Sequence, residues 1–501
     1  MTVMNWVVVY PELMLLVAAC AILIIDVLTS APGGKTTLWL TQAAMGAYAL
    51  MHVLALQDGL AVGGAAASQY GMQGLVVSDP MGQLLAACAA LAMMATLAYA
   101  QPYIGSRELR KGEFYTLSLF MLLGIGVMIS ANHLLVIYVG LELMSLSLYA
   151  LVALRRDHAS ATEAAMKYFV LGALASGFLL YGMSMLYGAT GSLRLAEIFA
   201  AIQSGGITPM VLTFGVVFIV AGLAFKLGVV PFHMWVPDVY QGAPTAITLM
   251  VAGAPKLAAF AITMRLLVDG LSGMAHDWQQ MLIVLAVLSM ALGNLAAIAQ
   301  RNLKRMLAYS TIAQLGFMLL GFTPTVIATN TLSAANGYSS AMFYAISYVL
   351  TTLGTFGLIM LLSRQGFESE EITDLAGLAK RSPWMAAVMA IFMFSLAGIP
   401  PLVGFYAKFA IVQALVTTGQ GSYIAVAVVA VLLSLIGAFY YLRIVKVMYF
   451  DAPPVGAQVP VAHGGVSLLL AANGAAALAL GLAPGWLMAL CVDAIYMTMH
   501  G

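Results

Sequence analysis

The chain has 501 residues, of which 63% are hydrophobic and only 8% are charged. Soluble domains carry about 25% charged residues, so this composition excludes a water-soluble globular protein. The net charge of +1 argues against a nucleic-acid partner, because such domains need a strongly basic surface. The three cysteines, Cys20, Cys88 and Cys491, have neither disulfide-framework nor iron–sulfur spacing.

Fourteen segments are apolar over about the 20 residues that a transmembrane helix needs, which predicts an all-α, multi-pass membrane protein. The first span has no basic residue before it and is therefore predicted to be a retained helix, not a signal peptide. The longest surface loops are predicted at 57–80 and 364–383. The predicted spans are 6–27, 36–56, 81–101, 113–131, 133–154, 164–188, 209–229, 240–267, 279–299, 304–322, 337–363, 384–416, 421–449 and 464–490.

The basic residues favour one side of this topology. Only Arg194 and Arg265 are assigned to even-numbered loops or their flanks. Because basic residues collect on the cytoplasmic side, both termini are predicted on the periplasmic face of a bacterial inner membrane. The residues assigned to odd-numbered loops and flanks are Lys35, Arg107, Arg110, Lys111, Arg155, Arg156, Arg301, Lys304, Arg305, Arg364, Lys380, Arg381, Arg443 and Lys446.

Four lysines fall inside predicted spans, and Glu142 is the only acidic residue near the middle of one. Each charge at the bilayer centre costs about 2.5–3.5 kcal/mol on insertion scales, so such groups must pair, face internal water or lose their charge. A buried lysine holds its proton when a carboxylate is close and releases it when the carboxylate withdraws. Glu142 and these lysines are therefore predicted to form a proton relay; the lysines are Lys167, Lys226, Lys256 and Lys408.

Two of the candidates have strong alternatives. Lys167 lies close enough to a helix end to reach the membrane surface, so it can be a snorkelling lysine. His233, a weaker relay candidate, can equally be a capping or packing residue. The tyrosines of the eleventh span, Tyr338, Tyr344 and Tyr348, are interpreted mainly as core packing.

Backbone disruption accompanies the lysines. Pro231 follows Lys226, Pro255 precedes Lys256, and the sequence Gly398-Ile399-Pro400-Pro401 precedes Lys408. Broken helices mark ion sites in transporters, because freed backbone groups need protein or water partners.

The disrupted spans 7 and 12 are each fourth in a set of five, which predicts inverted repeats formed by spans 4–8 and 9–13. The predicted domains are residues 1–107 with three spans, the repeats 113–270 and 279–450, and a C-terminal helix at 464–490.

Three segments carry a family resemblance, which extends from about residue 70 to 450. Residues 225–238, Phe-Lys-Leu-Gly-Val-Val-Pro-Phe-His-Met-Trp-Val-Pro-Asp, resemble the helix-7 signature of the antiporter-like membrane subunits of respiratory complex I (NADH:quinone oxidoreductase). The continuation to Thr245 is most similar to the subunit-2 homologues of that family. Residues 395–408 and 141–145 resemble its broken helix 12 and its helix 5.

The resemblance implies roles at the matching positions. Glu142 and Lys226 would form a coupled pair, Lys256 the central relay and Lys408 the terminal proton site, with Lys167 as a further member. Family members often carry a histidine in the segment that matches 308–316; here Gln314 stands in it and cannot titrate, which implies a water-ordering role.

The implied function is proton translocation driven by quinone reduction in other subunits. NADH, FMN, iron–sulfur clusters and quinone would bind in those partners, and this chain would hold no cofactor or metal. The implied partners are neighbouring antiporter-like and small membrane subunits within the bilayer. Three rival functions remain: an Mrp-type cation/proton antiporter subunit, a membrane scaffold with a vestigial channel, and a quinone-binding redox subunit, which the lack of cofactor ligands disfavours.

Overall fold

The computed structural model describes residues 4–29, 33–63, 67–205, 207, 209–325, 331–364, 366–454 and 464–500. The predicted domain start at residue 1 and parts of the predicted loops 57–80 and 364–383 lie outside these ranges. Nearly all of the described chain is helical.

The helices of the first half are α1 (Tyr10–Leu28), α2 (Lys35–Val62), α3 (Pro80–Gly105), α4 (Gly112–Ser130), α5 (Leu134–Val152), α6 (Ala159–Thr190), α7 (Leu195–Ser204), α8 (Pro209–Leu227), α9 (Trp235–Gly242), α10 (Thr245–Ala252) and α11 (Pro255–Thr263), which continues as a π-helix over Met264–Gly270. The helices of the second half are α12 (Ala275–Ala299), α13 (Leu303–Leu319), α14 (Thr331–Leu362), α15 (Leu378–Arg381), α16 (Pro383–Ala397), α17 (Val403–Thr417), α18 (Gly421–Phe450), α19 (Gly464–Leu482) and α20 (Gly485–His500).

Within the described residues, 13 helices are long and apolar enough to cross a membrane. The broken pair α16 and α17 occupies the predicted span 384–416 and completes the fourteen spans expected from the sequence. The last span is longer than predicted, because α20 continues beyond the bend at Pro484. Its Thr498 hydroxyl accepts a hydrogen bond from the Met81 N–H, so the C-terminal end lies beside the start of α3.

Two sets of five spans show the same packing. One set comprises α4, α5, α6, the broken helix α8–α9 and the broken helix α10–α11; the other comprises α12, α13, α14, α16–α17 and α18. Glycines allow the first two helices of each set to approach closely: Gly124 lies against the backbone of α5, and Gly293 lies against the backbone of α13. Close helix contacts through small residues are typical of packing in membranes, where lipid supplies no hydrophobic drive between helices.

The predicted loop 57–80 is partly ordered structure. α2 extends to Val62, and a two-stranded antiparallel sheet follows, with β1 (Gln69–Gly71) paired to β2 (Val76–Ser78) in the register Gln69 to Ser78. The short turn between α4 and α5, predicted at Ala131 and Asn132, pairs with this hairpin through Val76 and Ala131. A further short helix, α7, was not predicted, because its ten residues cannot span a bilayer.

The bundle has two polar ends. The terminal face carries both chain ends, the β-hairpin and the α4–α5 turn. The loop face carries the α3–α4, α5–α6 and α12–α13 connections and the segment 364–383, which ion pairs join together.

Candidate functional site: a line of buried lysines

The first helix break creates a cation site. Gly228 has φ +80°, a left-handed conformation that glycine adopts without strain, and its N–H closes the end of α8 on the carbonyls of Ala224 and Phe225. The carbonyl groups of the last α8 residues, Lys226 and Leu227, are left without helical donors. A helix C-terminus carries partial negative charge, so these carbonyls favour a cation.

Lys256 supplies that cation from a different helix. Its Nζ donates hydrogen bonds to the carbonyls of Lys226 and Leu227, both at 3.3 Å, and lies 5.4 Å from the centre of the Trp235 ring. The Lys256 side chain is only 1% exposed, because α11 begins at Pro255 deep inside the bundle. In the sequence Lys256 directly follows Pro255, but no sequence pattern indicates that its side chain reaches the end of α8.

The second break repeats this arrangement. Gly398 has φ +84°, and its N–H closes α16 on the carbonyls of Phe394 and Ser395. Lys408 Nζ donates to the carbonyls of Leu396 at 2.9 Å and Ala397 at 3.2 Å.

In contrast to Lys256, Lys408 belongs to the second half of the same broken helix. Its Nζ also donates to Ser434 Oγ on α18 at 2.8 Å. Both repeats therefore hold a lysine ammonium against the carbonyl end of a broken helix.

Glu142 and Lys226 lie on neighbouring helices without a direct ion pair. Lys226 Nζ donates to Ser145 Oγ at 2.8 Å, and Ser145 is three residues from Glu142 on α5. Glu142 Oε1 is buried without a hydrogen-bond partner. The two side chains can thus interact electrostatically across Ser145, while a closer pairing requires the carboxylate or the ammonium to move.

Gln314 lies between the two breaks and connects four helices. Its Nε2 donates to the Leu396 carbonyl and to the Tyr441 hydroxyl, both at 2.9 Å, and its Oε1 accepts from the Tyr344 hydroxyl. Leu396 is also the carbonyl that binds Lys408. Tyr344 is packed in the core, stacked on Phe317, and its hydroxyl is also part of the polar line.

A cavity of about 20 Å³ adjoins this network, lined among others by Gln314, Tyr348 and Ser395. It is large enough for one water molecule, which needs about 10–15 Å³. Ser347 contributes a buried hydroxyl without a partner to the same wall. Tyr348 donates to Thr311, one turn before Gln314, and extends the polar groups along α13. Among the described residues, no side-chain hydrogen bond joins this network to Lys256.

Lys167 does not lie in this line. Its ammonium forms ion pairs with Asp238 at 2.8 Å and with Glu163 at 2.7 Å, in the half of α6 nearer the loop face. Asp238 is also paired with Arg305 at 2.7 Å.

His233 lies in the break between α8 and α9, half-buried, with its Nδ1 lacking a partner. It makes no contact with the lysine ammonium groups in the structure. Its role as a weaker relay group stays a prediction.

The burial of two basic side chains was not predicted from the sequence. Lys304 and Arg265 were assigned to loop flanks, but both side chains are almost fully buried. Lys304 pairs with Glu370 at 2.6 Å and donates to the Ala243 carbonyl, and Arg265 pairs with Asp79 at 2.6 Å. Both residues stand near span ends, where hydropathy cannot distinguish a solvated charge from one that has a buried partner.

In the part of the chain that the structure describes, no three His, Cys, Asp or Glu side chains are grouped as metal ligands would be. The lysine line itself contains lysine, glutamate and hydroxyl groups, which can bind and transfer protons.

Comparisons with known proteins identify the family to which the chain belongs. The family model described as NADH:quinone oxidoreductase/Mrp antiporter, TM, matches residues 131–437. NADH-quinone oxidoreductase subunit N of Polaromonas naphthalenivorans (strain CJ2) is 60% identical over 494 residues, which cover 98% of this chain and 97% of the relative.

Two solved structures share the fold. A chain of respiratory complex I from Thermus thermophilus with bound aureothin has a TM-score of 0.77 and 31% identity, covering 96% of this chain and 99% of that one. A chain of the Mrp complex from Dietzia sp. DQ12-45-1b has a TM-score of 0.82 and 22% identity, covering 99% of both chains, which shows the fold alone. The chain belongs to the NADH:quinone oxidoreductase/Mrp antiporter transmembrane family, in which it groups with the NADH-quinone oxidoreductase N subunits.

Proposed function

We propose that this chain is a proton-translocating subunit of the membrane arm of an NADH:quinone oxidoreductase. The observation that carries the proposal is the line of Lys226, Lys256 and Lys408 inside the bundle, with Gln314 between the two helix breaks. Intramembrane ionisable groups that face a bundle interior mark ion pathways. The relatives named subunit N of this oxidoreductase support the same assignment.

The proposed path begins at Glu142 and Lys226. Protons reach this pair from the loop face, continue to Lys256, cross the Gln314 network and arrive at Lys408. Each ammonium is held by neutral oxygens only: the Ser145 hydroxyl for Lys226, carbonyls for Lys256, and carbonyls with the Ser434 hydroxyl for Lys408. A charge without a counter-ion is costly inside a bundle, so each lysine can pass its proton on when a neighbouring charge appears or withdraws.

The driving energy comes from elsewhere in this proposal. Moving one charge against 100 mV costs about 2.3 kcal/mol. We place NADH, FMN, the iron–sulfur clusters and quinone in partner subunits, where electron transfer would supply this energy. This chain then acts as a non-redox subunit of the translocase.

Neighbouring membrane subunits are the proposed partners, and two lipid-side surfaces suit them. On α5, Leu135, Val139 and Leu146 are exposed along the side of the helix near Glu142. Beside Lys408, a groove of about 300 Å³ is lined by the exposed Phe405 and Leu435. Adjacent subunits at these surfaces would interact electrostatically with Glu142 and Lys408.

We place the chain in the bacterial inner membrane with the terminal face toward the periplasm. The loop face carries Arg107, Arg155, Arg305 and Arg381, and basic residues favour the cytoplasmic side.

The Mrp-type antiporter is the rival function, because the Dietzia chain shares the fold. Purification of an affinity-tagged chain distinguishes the two functions. We expect the chain to co-purify with flavin- and iron–sulfur-containing subunits and with NADH:quinone oxidoreductase activity. In vesicles reconstituted from that preparation, NADH should drive proton uptake equally with and without sodium. Purification without those subunits, or proton movement that stops when sodium is removed, would favour the antiporter.

A further inference from the structure

A second set of buried polar side chains lies between the N-terminal helices, outside both repeats. It consists of Glu12 on α1, Tyr48 and His52 on α2, and Gln83 on α3, all at least nine-tenths buried. We call these four residues the N-terminal cluster. It lies near the terminal face, since Glu12 occupies the first turn of α1 and Gln83 the first turn of α3.

The hydrogen bonds within the cluster define the state of His52. Gln83 Nε2 donates to Ser78 Oγ, so Gln83 Oε1 faces His52 Nδ1 at 2.5 Å and accepts from it. His52 Nδ1 therefore carries the hydrogen, and in a neutral imidazole Nε2 is then a free acceptor. Nε2 is buried without a partner.

Two further polar atoms of the cluster lack a hydrogen bond of standard geometry. Glu12 Oε2 and the Tyr48 hydroxyl are both buried in this way, and the two side chains lie close enough to interact with each other. Among the described residues, Glu12 has no lysine or arginine within ion-pair distance, and a carboxylate without a cation is costly to bury. An acid, a phenol and an imidazole with unused hydrogen-bonding atoms therefore share one interior site.

The site contains a small space. A cavity of about 10 Å³ is lined by Glu12, His52, Gln83 and Gly126, which is close to the lower limit for one water molecule. Gly126 keeps this region open, because a Cβ atom there would collide with the Tyr48 hydroxyl and lie 3.4 Å from Glu12 Oε1. The neighbouring helices thus leave room for a proton carrier between the polar atoms.

A buried ion pair joins the cluster to the helix that carries Lys256. Asp79, which also lines the cavity, forms an ion pair at 2.6 Å with Arg265 at the π-helical end of α11. Arg265 also pairs with Asp269 at 3.3 Å. The charged and titratable groups around Glu12 are thus Tyr48, His52, Asp79, Arg265 and Asp269, with the single arginine shared by the two aspartates.

We propose that the N-terminal cluster is a proton-binding site, which holds one exchangeable proton among Glu12, Tyr48 and His52. The proposal rests on the proposed function in one respect: the buried Asp79–Arg265 pair couples the charge of this site to the helix that carries Lys256. No redox or covalent step is involved, because the proton moves between oxygen and nitrogen atoms of the cluster.

Infrared difference spectroscopy of the purified complex at two pH values tests proton binding directly. We expect a protonated-carboxyl band that is lost in Glu12→Gln and shifted in Tyr48→Phe, which removes only a hydroxyl. Glu113→Gln, the same change on an exposed carboxylate of α4, should leave the band intact. If neither cluster variant changes the band, the proposal is overturned. This holds even if Glu12→Gln lowers the stability of the complex.

Proton pumping tests the link to Lys256. Glu12→Gln should lower the protons pumped per NADH to the level of Lys256→Met, and the double variant should fall no further, because the charge of the cluster acts on pumping through the helix that carries Lys256. A larger loss in the double variant, or no loss in Glu12→Gln, would contradict the link. If Lys256→Met itself pumps normally, the proposed function fails, while the infrared result still decides whether the cluster binds a proton.

Discussion

At the scale of single residues, two glycines and two lysines make the candidate site. Gly228 and Gly398 end α8 and α16 in the left-handed conformation, and Lys256 and Lys408 bind the carbonyls that these ends expose. The ammonium of each lysine is therefore positioned by backbone atoms whose places are set by the helix break. A change at the break should act on the lysine even when the lysine itself is unchanged.

Gly398→Ala tests this dependence. A Cβ atom at position 398 would lie 3.0 Å from Lys408 Cδ and displace the ammonium from its carbonyls. Gly419→Ala is the matched control, because Gly419 has φ +70° but no atom within 4 Å of such a Cβ. The left-handed backbone should destabilise both variants by about 1–2 kcal/mol.

Thermal unfolding and proton pumping separate the two effects. Both variants should unfold at a similarly lowered temperature, while only Gly398→Ala should pump fewer protons per NADH. Equal pumping by the two variants would mean that Lys408 does not need its place at the end of α16.

The sequence could predict the lysines but not their partners. Lys226, Lys256 and Lys408 stood out because a charge inside an apolar span is expensive. The contact between Lys256 and the end of α8 joins positions that are 30 residues apart, and only the packing of α11 against α8 creates it. The burial of Glu12 was not predicted, because the residue lies near the start of its span, where a carboxylate normally reaches water.

At the scale of elements, α13 connects the two breaks through Gln314. The residue binds Tyr344 on α14, Leu396 on α16 and Tyr441 on α18. Leu396 also accepts from Lys408, and the Tyr441 hydroxyl also bonds Ser310, so the Tyr344 hydroxyl is the group that depends most on Gln314. A buried polar group without a partner costs about 1–3 kcal/mol.

Gln314→Leu should therefore lower both stability and pumping. The leucine leaves the Tyr344 and Tyr441 hydroxyls without this partner and interrupts the polar line beside Lys408. Gln314→His, which keeps a donor and an acceptor, should retain more of both properties. Thermal unfolding and protons per NADH measure them, and a Gln314→Leu complex that pumps as well as the unsubstituted one would remove Gln314 from the path.

The segment 364–383 supports the site from the loop face. Arg107 Nε donates to Glu368 Oε1 at 2.8 Å, and Tyr103 donates to Oε2 at 2.9 Å. The Tyr103 hydroxyl also accepts from the Thr245 N–H, which fixes the start of α10. This contact places the loop on the helix pair that carries Lys256, although the sequence predicted only a surface loop.

The Glu368 interaction gives a pH dependence. Burial raises the pKa of Glu368, but Arg107 and Tyr103 outweigh it and bring the pKa below its ordinary value. A carboxyl whose pKa is lowered on folding stabilises the fold above its unfolded pKa, and this stability is lost as the pH falls through the folded pKa.

We expect Glu368→Gln to lower the unfolding temperature of the solubilised protein at neutral pH and to converge with the unsubstituted protein in acid. Glu108→Gln, on an exposed carboxylate nearby, should leave the whole curve unchanged. Parallel curves for Glu368→Gln and the unsubstituted protein would contradict the assignment.

At the scale of the whole molecule, a bundle of fourteen spans contains the same arrangement twice. In each case a lysine ammonium binds the carbonyl end of a broken helix. Hydropathy was sufficient to place the spans, and the positions of Pro231 and Pro400 were sufficient to place the breaks, because both signals are local. The kinked last span, the β-hairpin at Gln69–Ser78 and the buried pair Arg265–Asp79 depend on contacts between distant segments, so no local pattern indicated them.

We propose that protons cross the membrane on the intramembrane lysines Lys226, Lys256 and Lys408. The most direct test is the number of protons pumped per NADH oxidised by the assembled complex carrying Lys226→Met, compared with Lys380→Met at an exposed loop lysine. Lys226→Met should clearly lower the number of protons pumped per NADH, and Lys380→Met should leave it unchanged. A Lys226→Met complex that is fully assembled and pumps the normal number of protons per NADH would contradict this proposal.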